Sequence, residues 1–300
     1  MTDTSSVDVA LVVRIADAGS LSAAARQLML SPASVSARLT DIERRLGVPM
    51  FRRSTRSLHL MEEGERYLAS ARPILDMLDA AEDAARGATD PTRMTGSVRL
   101  GAPLDLGRQF VGAMVDAFVD AHPRIHVSLL LTDEVTDLRV QNVDLAVRYG
   151  DAPSTTGTSV SRLADNRRVI CGAPDYLERT GRPRHPDDLR RHNCLCLRTA
   201  TSYIRRWPTG GGWVEVAGDR STSDGSLLRS WAIDGRGLVL KSWWDVRNDL
   251  TAGRLEEVFP NLPTVPHPLR LARVGGRHAP IRVSRLADHL RRGFRELSER

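Results

Sequence analysis

Short apolar stripes separated by single turn residues mark the first sixty positions of the chain. Val7, Leu11, Val12 and Ile15 share one helical face over residues 7–17. Gly19 breaks that pattern and Ser20 is placed to cap a second helix, Leu21 to Met29, whose Ala23, Ala24, Ala25 and Leu28 allow close packing. Ser31 before Pro32 combines a hydroxyl N-cap with proline at the first helical position. Val35, Leu39, Ile42 and Leu46 then recur at four, three and four residues, an apolar stripe that Gly47 ends. Two short helices joined by a tight turn, the second capped and basic, are the layout of a helix-turn-helix. The stretch FRRSTRSLHLM (51–61) predicts a small β-wing, and a helix is expected from 62 to about 87 with Pro73 inside it. Tyr67, Leu68, Leu75 and Leu78 are expected between two copies of that helix, because a lone helix with so acidic a face has little else to bury against. GATDPTRMTG (87–96) is the clearest linker.

Beyond Gly96 the period shortens. Val98–Ala102, Ile125–Leu131, Asp144–Tyr149, Val169–Cys171, Cys194–Leu197, Val214–Val216 and Val239–Leu240 read as strands. Helical stretches at Phe110–Ala121, Ser226–Ile233 and Asp245–Ala252 lie between several of them, which argues for α/β units. A last helix, Ile281 to about Leu297, carries Leu286, Leu290 and Phe294 on one face.

Composition changes this picture little. At 41% hydrophobic and 27% charged, the 300 residues suit a globular chain of one to three domains. No apolar run reaches the ~20 residues that span a bilayer, and Asp3, Asp8 and Asp17 are wrong for a signal peptide, so a cytoplasmic location is expected. Three cysteines do not make a disulfide framework. Charge is more informative. Residues 26–60 hold seven arginines against Asp41 and Glu43, a net of +5, whereas residues 61–96 hold four arginines against eight acids, a net of −4. A basic segment followed at once by an acidic one is a local footprint for a polyanion. Of the 43 basic residues only Lys241 is a lysine.

The order of these residues is recognisable. SLSAAARQLMLSPASVSARLTDIERRLGVPMFRRSTRSLHLMEEGERYL (20–68) resembles the LysR-type transcriptional regulators, and so do GAPLDLGRQFVG, VDLAVRYGD, RRVICGAPDYLERTGRPRHPDDLRRHNCL and GLVLKSWWDVRNDLTAGRLEEVFP. The resemblance implies an α+β multidomain chain. A winged helix-turn-helix would occupy 1–61 (the helix-turn-helix about 20–39), and a dimerising linker helix 62–87. A two-lobed α/β effector domain similar to periplasmic solute-binding proteins would follow at 97–300, with lobe I at about 97–163 and 268–300 and lobe II at about 164–267. It also implies a homodimer or tetramer on promoter DNA, a small-molecule effector, RNA polymerase as a further partner, and no membrane, cofactor or catalytic role. Ser36 matches the family's near-standard serine, and Arg52, Arg53 and Arg56 match the wing arginines that contact the DNA backbone. Ala37 departs from the arginine many members carry. Met61 replaces the usual capping threonine, at a cost of about 1 kcal/mol.

Candidate DNA contacts are therefore Ser31, Pro32, Ala33, Ser34, Ser36, Ala37, Thr40, Arg44, Arg52, Arg53 and Arg56: small and hydroxyl residues near a helix start for base edges, arginines for phosphates. The bland alternative is a solvated helix face. Candidate effector residues lie at strand-to-helix edges, which face the ligand crevice in α/β folds. They are Pro103, Leu104, Asp105 and Arg108, Lys241 and Ser242, with Arg148 as a second positive charge and Thr201 or Ser202 as a hydroxyl. This set suits a carboxylate-bearing effector with Lys241 as a mobile point charge, against the alternative that Lys241 is simply solvated. His192, Cys194 and Cys196 alternate on one strand face, open to a metal or thiol sensor or to buried structural thiols. The five tryptophans, Trp207, Trp213, Trp231, Trp243 and Trp244, either line a pocket or pack core and hinge. Hydrolase, P-loop and dinucleotide motifs are missing from the sequence, leaving a solute-binding protein as the main rival for 97–300.

Overall fold

A computed structural model describes residues 5–53, 58–85, 94–133, 143–150, 158–198, 203–261, 266–274 and 279–299. The chain forms two compact units, residues 1–89 and, in the main, 90–300. In the first, α1 (Ser6–Ala18) is capped by Ser5 and closed by Gly19 in the left-handed region. Helix α2 (Leu21–Leu28) is capped by Ser20, and α3 (Pro32–Leu46) begins with Ser31 accepting from the Ser34 amide and ends at Gly47, also left-handed. Strands β1 (Phe51–Arg53) and β2 (Leu58–Leu60) pair antiparallel, Arg52 opposite His59. Helix α4 (Glu62–Ala85) runs through Pro73.

Val12, Ile15, Ala24, Ala25, Val35, Leu39 and Ile42 close the core of this unit. Each fully buried aliphatic there contributes roughly 1.5–3 kcal/mol. Leu46 departs from its expected place, because α3 ends there and leaves it exposed. Two further departures concern α4. Leu68 is buried in the unit's own core, with Tyr67 and Leu75 packed against it, rather than waiting for a second copy. The large apolar residues that α4 leaves exposed are Ile74, Met77 and Leu78. Gly64 explains how α4 seats so closely: a Cβ there would lie 2.4 Å from the Met50 carbonyl oxygen. Glu62, Glu63 and Glu65 favour the start of α4 in place of a capping hydroxyl.

The second unit opens with β3 (Gly96–Ala102), α5 (Leu104–Leu106), a π-helical stretch (Gly107–Val111) and α6 (Gly112–Ala121). Then come β4 (Ile125–Leu131), β5 (Leu145–Tyr149), β6 (Thr158–Ala164), β7 (Arg168–Gly172), α7 (Pro174–Thr180) and a 3-10 turn at Pro186–Arg191. After these follow β8 (Cys194–Leu197), β9 (Arg206–Pro208), β10 (Trp213–Glu215), β11 (Ser221–Thr222), α8 (Gly225–Ile233), β12 (Leu238–Ser242) and α9 (Trp243–Thr251). The chain closes with β13 (Glu256–Glu257), β14 (Leu269–Val274) and α10 (Ile281–Ser298). Two five-stranded sheets result, ordered β4-β3-β5-β14-β6 and β11-β8-β12-β7-β13, each the centre of one lobe. In the first, β3 is parallel to both neighbours while β14 returns antiparallel between β5 and β6. Leu286, Leu290 and Phe294 bury the inner face of α10 as their spacing predicts.

The chain crosses between the sheets twice, after β6 and before β14. An antiparallel bridge joins the crossings at Arg167 and Pro266. Asn166 ties them, its Nδ2 donating to the His267 carbonyl (2.8 Å) and to Ser242 Oγ (3.2 Å). Trp244 is buried between Phe110 and Phe294, its Nε1 donating to the Asp165 carbonyl at 2.8 Å. It is core and hinge packing, and Trp207 is fully buried as well.

Candidate functional sites

The outward side of α3 is built by its stripe. With Val35, Leu39 and Ile42 inward, Ser31, Pro32, Ala33, Ser34, Ala37, Thr40 and Arg44 are exposed and Ser36 is half-buried. The hydroxyls are oriented by local bonds: Ser31 Oγ lies 2.7 Å from Ser34 Oγ, and Thr40 Oγ1 donates to the Ser36 carbonyl at 3.0 Å. Arg44 pairs with Asp41 at 2.7 Å on the surface, an exposed pair of little worth to stability. Arg38 and Arg45, by contrast, turn back to Asp8 of α1 at 2.9 and 3.2 Å, so they anchor the helix. Glu43 accepts from the amides of Met50 and Phe51, which fixes where β1 starts. Arg52 is exposed on β1. Arg53 belongs to β1, and Arg56 lies outside the described residues. At the turn into α3, exposed Arg26, Gln27 and Met29 were not anticipated from the sequence.

The second site lies between the lobes. Lys241, at the end of β12, is only 7% exposed. Its Nζ stands 2.7 Å from Asp105 Oδ2 and 3.1 Å from Asp245 Oδ2, and donates to the Gly225 carbonyl at 3.1 Å. It is neither solvated nor a mobile point charge. Burial opposes its charge, but Asp245 and Asp105 together outweigh that and raise its pKa overall. Burial likewise pushes the Asp245 carboxyl up, although Lys241 pulls it down. Tyr149 Oη donates to Asp245 Oδ1 at 2.6 Å, and burial beside that carboxylate raises the phenol well above its usual value. Arg229 reaches Asp105 at 3.7 Å and holds Asp249 at 2.5 Å. Arg108 donates to Ser226 Oγ across the cleft at 2.7 Å, and Gln109 to the Asp245 carbonyl at 2.7 Å.

A residue the sequence reading missed completes the cleft. Asp133 follows β4 at the carboxyl edge of the parallel pair β3–β4. Its Oδ1 accepts from the Leu104 amide (3.1 Å) and its Oδ2 from the Gly225 amide (2.7 Å). One carboxylate thus engages backbone from both lobes. Of the expected effector residues, Leu104, Asp105, Arg108 and Lys241 come together here, with Pro103 preceding α5. Ser242 is taken up by the crossover through Asn166. Arg148 follows strand alternation onto the face opposite Tyr149, away from Asp245. Thr201 and Ser202 lie outside the described residues.

Cys194 and Cys196 do share a face, but both are buried among apolar neighbours. Burial raises the Cys194 thiol to about 12, and His192 is lowered by burial while its Nδ1 lies 3.2 Å from Tyr176 Oη. Among the described residues no group of three or more His, Cys, Asp or Glu could hold a metal ion. No helix of the described residues is long and apolar enough to cross a membrane.

A winged helix-turn-helix joined to a two-lobed α/β domain with a polar interlobe cleft defines a class: one-component, ligand-responsive DNA-binding regulators. Known proteins agree. Residues 7–65 match the bacterial regulatory helix-turn-helix protein, lysR family, and residues 92–295 match the LysR substrate binding domain. The HTH-type transcriptional activator TtdR of Escherichia coli K12 is 32% identical over 257 residues, 84% of this chain and 82% of its own length. The regulator DmlR of the same organism is 31% identical over 263 residues, covering 84% and 83%. Among solved structures, CrgA of Neisseria meningitidis, a LysR-type transcriptional regulator, superposes with a TM-score of 0.62 at 26% identity, covering 97% of this chain and 99% of its own. The chain belongs to the LysR family of helix-turn-helix transcriptional regulators.

Proposed function

We propose that α3 reads base edges in a major groove through Ser31, Pro32, Ala33, Ser34, Ser36, Ala37 and Thr40. Arg44, Arg52, Arg53 and Arg56, joined by Arg26 at the turn, neutralise phosphates. The observation that carries this is the exposed, small and hydroxylated surface over residues 31–40 of α3 and its cap, followed by exposed Arg44, beside a wing that presents Arg52. Ile74, Met77 and Leu78 of α4 pair two copies, so that a dyad-symmetric site is held by both. The protein acts without catalysis in the cytoplasm, and RNA polymerase is its partner at the promoter. A small molecule carrying a carboxylate binds between the lobes and biases their closure, which requires different affinity for the open and closed arrangements. Two backbone amides donating to the Asp133 carboxylate support that ligand chemistry. Mapping protected bases on the intergenic DNA upstream of the gene is the test. A protected dyad that disappears with Ser36→Ala/Thr40→Ala supports the reading, and uniform coverage without a preferred site rejects it.

A further inference from the structure

The interlobe cleft contains an anion position that the chain itself fills. β3 and β4 are parallel neighbours with Ala102 opposite Leu131, and the Thr132 amide bonds to the Ala102 carbonyl at 3.0 Å. That pairing sets Asp133 beside the first turn of α5, where its Oδ1 accepts from Leu104. The same carboxylate reaches the other lobe and takes the first amide of α8, at Gly225, while Asp224 caps the next two, Ser226 and Leu227, at 2.8 and 3.0 Å. Glycine at 225 is what permits the approach. A Cβ there would lie 2.5 Å from Asp133 Oδ2 and 3.0 Å from Lys241 Nζ, so carboxylate and ammonium close over the same side of one residue. Lys241 holds the Gly225 carbonyl and, through Asp105, ties lobe II to lobe I a second time.

We propose that Asp133 is a built-in ligand. Its carboxylate occupies the position, formed by the Leu104 and Gly225 amides, that a carboxylate effector must take, and so latches the lobes together until such an effector displaces it. This rests on the cleft being the effector site. A tethered carboxylate is present at a high effective concentration, so a free carboxylate competes poorly against it. Removing the side chain vacates the position without removing its donors. The effector is then an acceptor able to satisfy both amides at once, as a carboxylate does and an ammonium group cannot.

The test uses the whole chain, with thermal unfolding followed by tryptophan emission, and sodium acetate and formate as probes against sodium chloride of equal ionic strength. Asp133→Ala is expected to unfold at lower temperature than wild type and to regain about 2–4 °C in ~50 mM acetate, the response to a ligand of roughly 10 mM affinity. Wild type should gain nothing beyond chloride. Gly225→Ala, which keeps every charge but crowds the position, should be destabilised and insensitive to acetate. Asp133→Asn places an amide donor against one of the two N–H groups and should also lower the midpoint. Equal acetate responses in wild type and Asp133→Ala, or an Asp133→Asn protein as stable as wild type, would overturn the proposal. Binding of wild type to promoter DNA, measured in parallel, reports separately on the regulatory reading.

Discussion

Replacing Lys241 by methionine removes a cation that, among the described residues, alone pairs with both Asp105 and Asp245. The side chain is close in volume to lysine, so packing is conserved while the charge is lost. Asp105 is 4% exposed and, among the described residues, keeps Arg229 at 3.7 Å as its cation; Asp245 is 6% exposed and keeps the Tyr149 hydroxyl. Breaking one partner out of a buried charge pair typically costs about 3–5 kcal/mol, because the charge left behind is neither solvated nor paired. For a unit of about 200 residues, each kcal/mol moves the midpoint by roughly 2–4 °C, so a fall of roughly 6–20 °C is expected. Trp207, Trp213, Trp231, Trp243 and Trp244 all lie in the second unit, so their emission follows its unfolding in the intact protein. The deficit should shrink in acid. Asp245 is already pushed up by burial and takes up a proton once lysine is gone. Adding Asp105→Asn to Lys241→Met should cost less than the separate effects summed. A midpoint within 2 °C of wild type would refute the reasoning, since it would mean that Lys241 is solvated in the folded protein.

Two further outcomes follow from the geometry. Ile74→Asp or Met77→Asp should convert the oligomer to monomers by sedimentation without unfolding the N-terminal unit, whereas Leu75→Asp should destabilise that unit itself, since Leu75 packs on its core; an unchanged oligomer in both exposed-face variants counts against pairing through α4. The Lys241 pKa is raised in the folded protein, so its stabilisation is complete below the ordinary lysine value of about 10.4 and is lost as pH rises through the folded one. The stability gap between wild type and Lys241→Met should therefore be flat from neutrality to about pH 10 and narrow above it; a gap that closes near pH 8 contradicts the buried pairs.

Much of the N-terminal unit was legible because its signals are local. Ser20 and Ser31 cap α2 and α3 as their positions predict, and Gly19 and Gly47 adopt the left-handed conformation that only glycine takes readily. Periodicity also found β3, β4, β8 and α10. It missed β6 and β14, which pair with each other from far apart along the chain, the short β9, and the two-residue strands β11 and β13, too short to carry a period. Leu68 and Leu75 were assigned to a partner because the sequence does not record that α1 reaches them. The strand-edge rule led to residues that meet between the lobes, but it did not give their electrostatics. Asp105 and Lys241 are 136 positions apart, and nothing local says that they meet. Asp133 stood at the carboxyl edge of a predicted strand, where the same rule would have found it.

In the proposed function, α3 and the wing grip DNA through arginine–phosphate contacts while the hydroxyl face selects sequence. Equilibrium binding of the full-length protein to its upstream intergenic DNA, titrated from about 50 to 300 mM salt, measures both. Wild type should lose affinity linearly on logarithmic axes, and each of Arg52→Ala and Arg53→Ala should lower the slope by about one and weaken every sequence alike. Thr40→Ala should leave the slope intact and shift the preference among sites. Binding that is insensitive to salt, or a slope unchanged in both arginine variants, would contradict the assignment of this face to DNA.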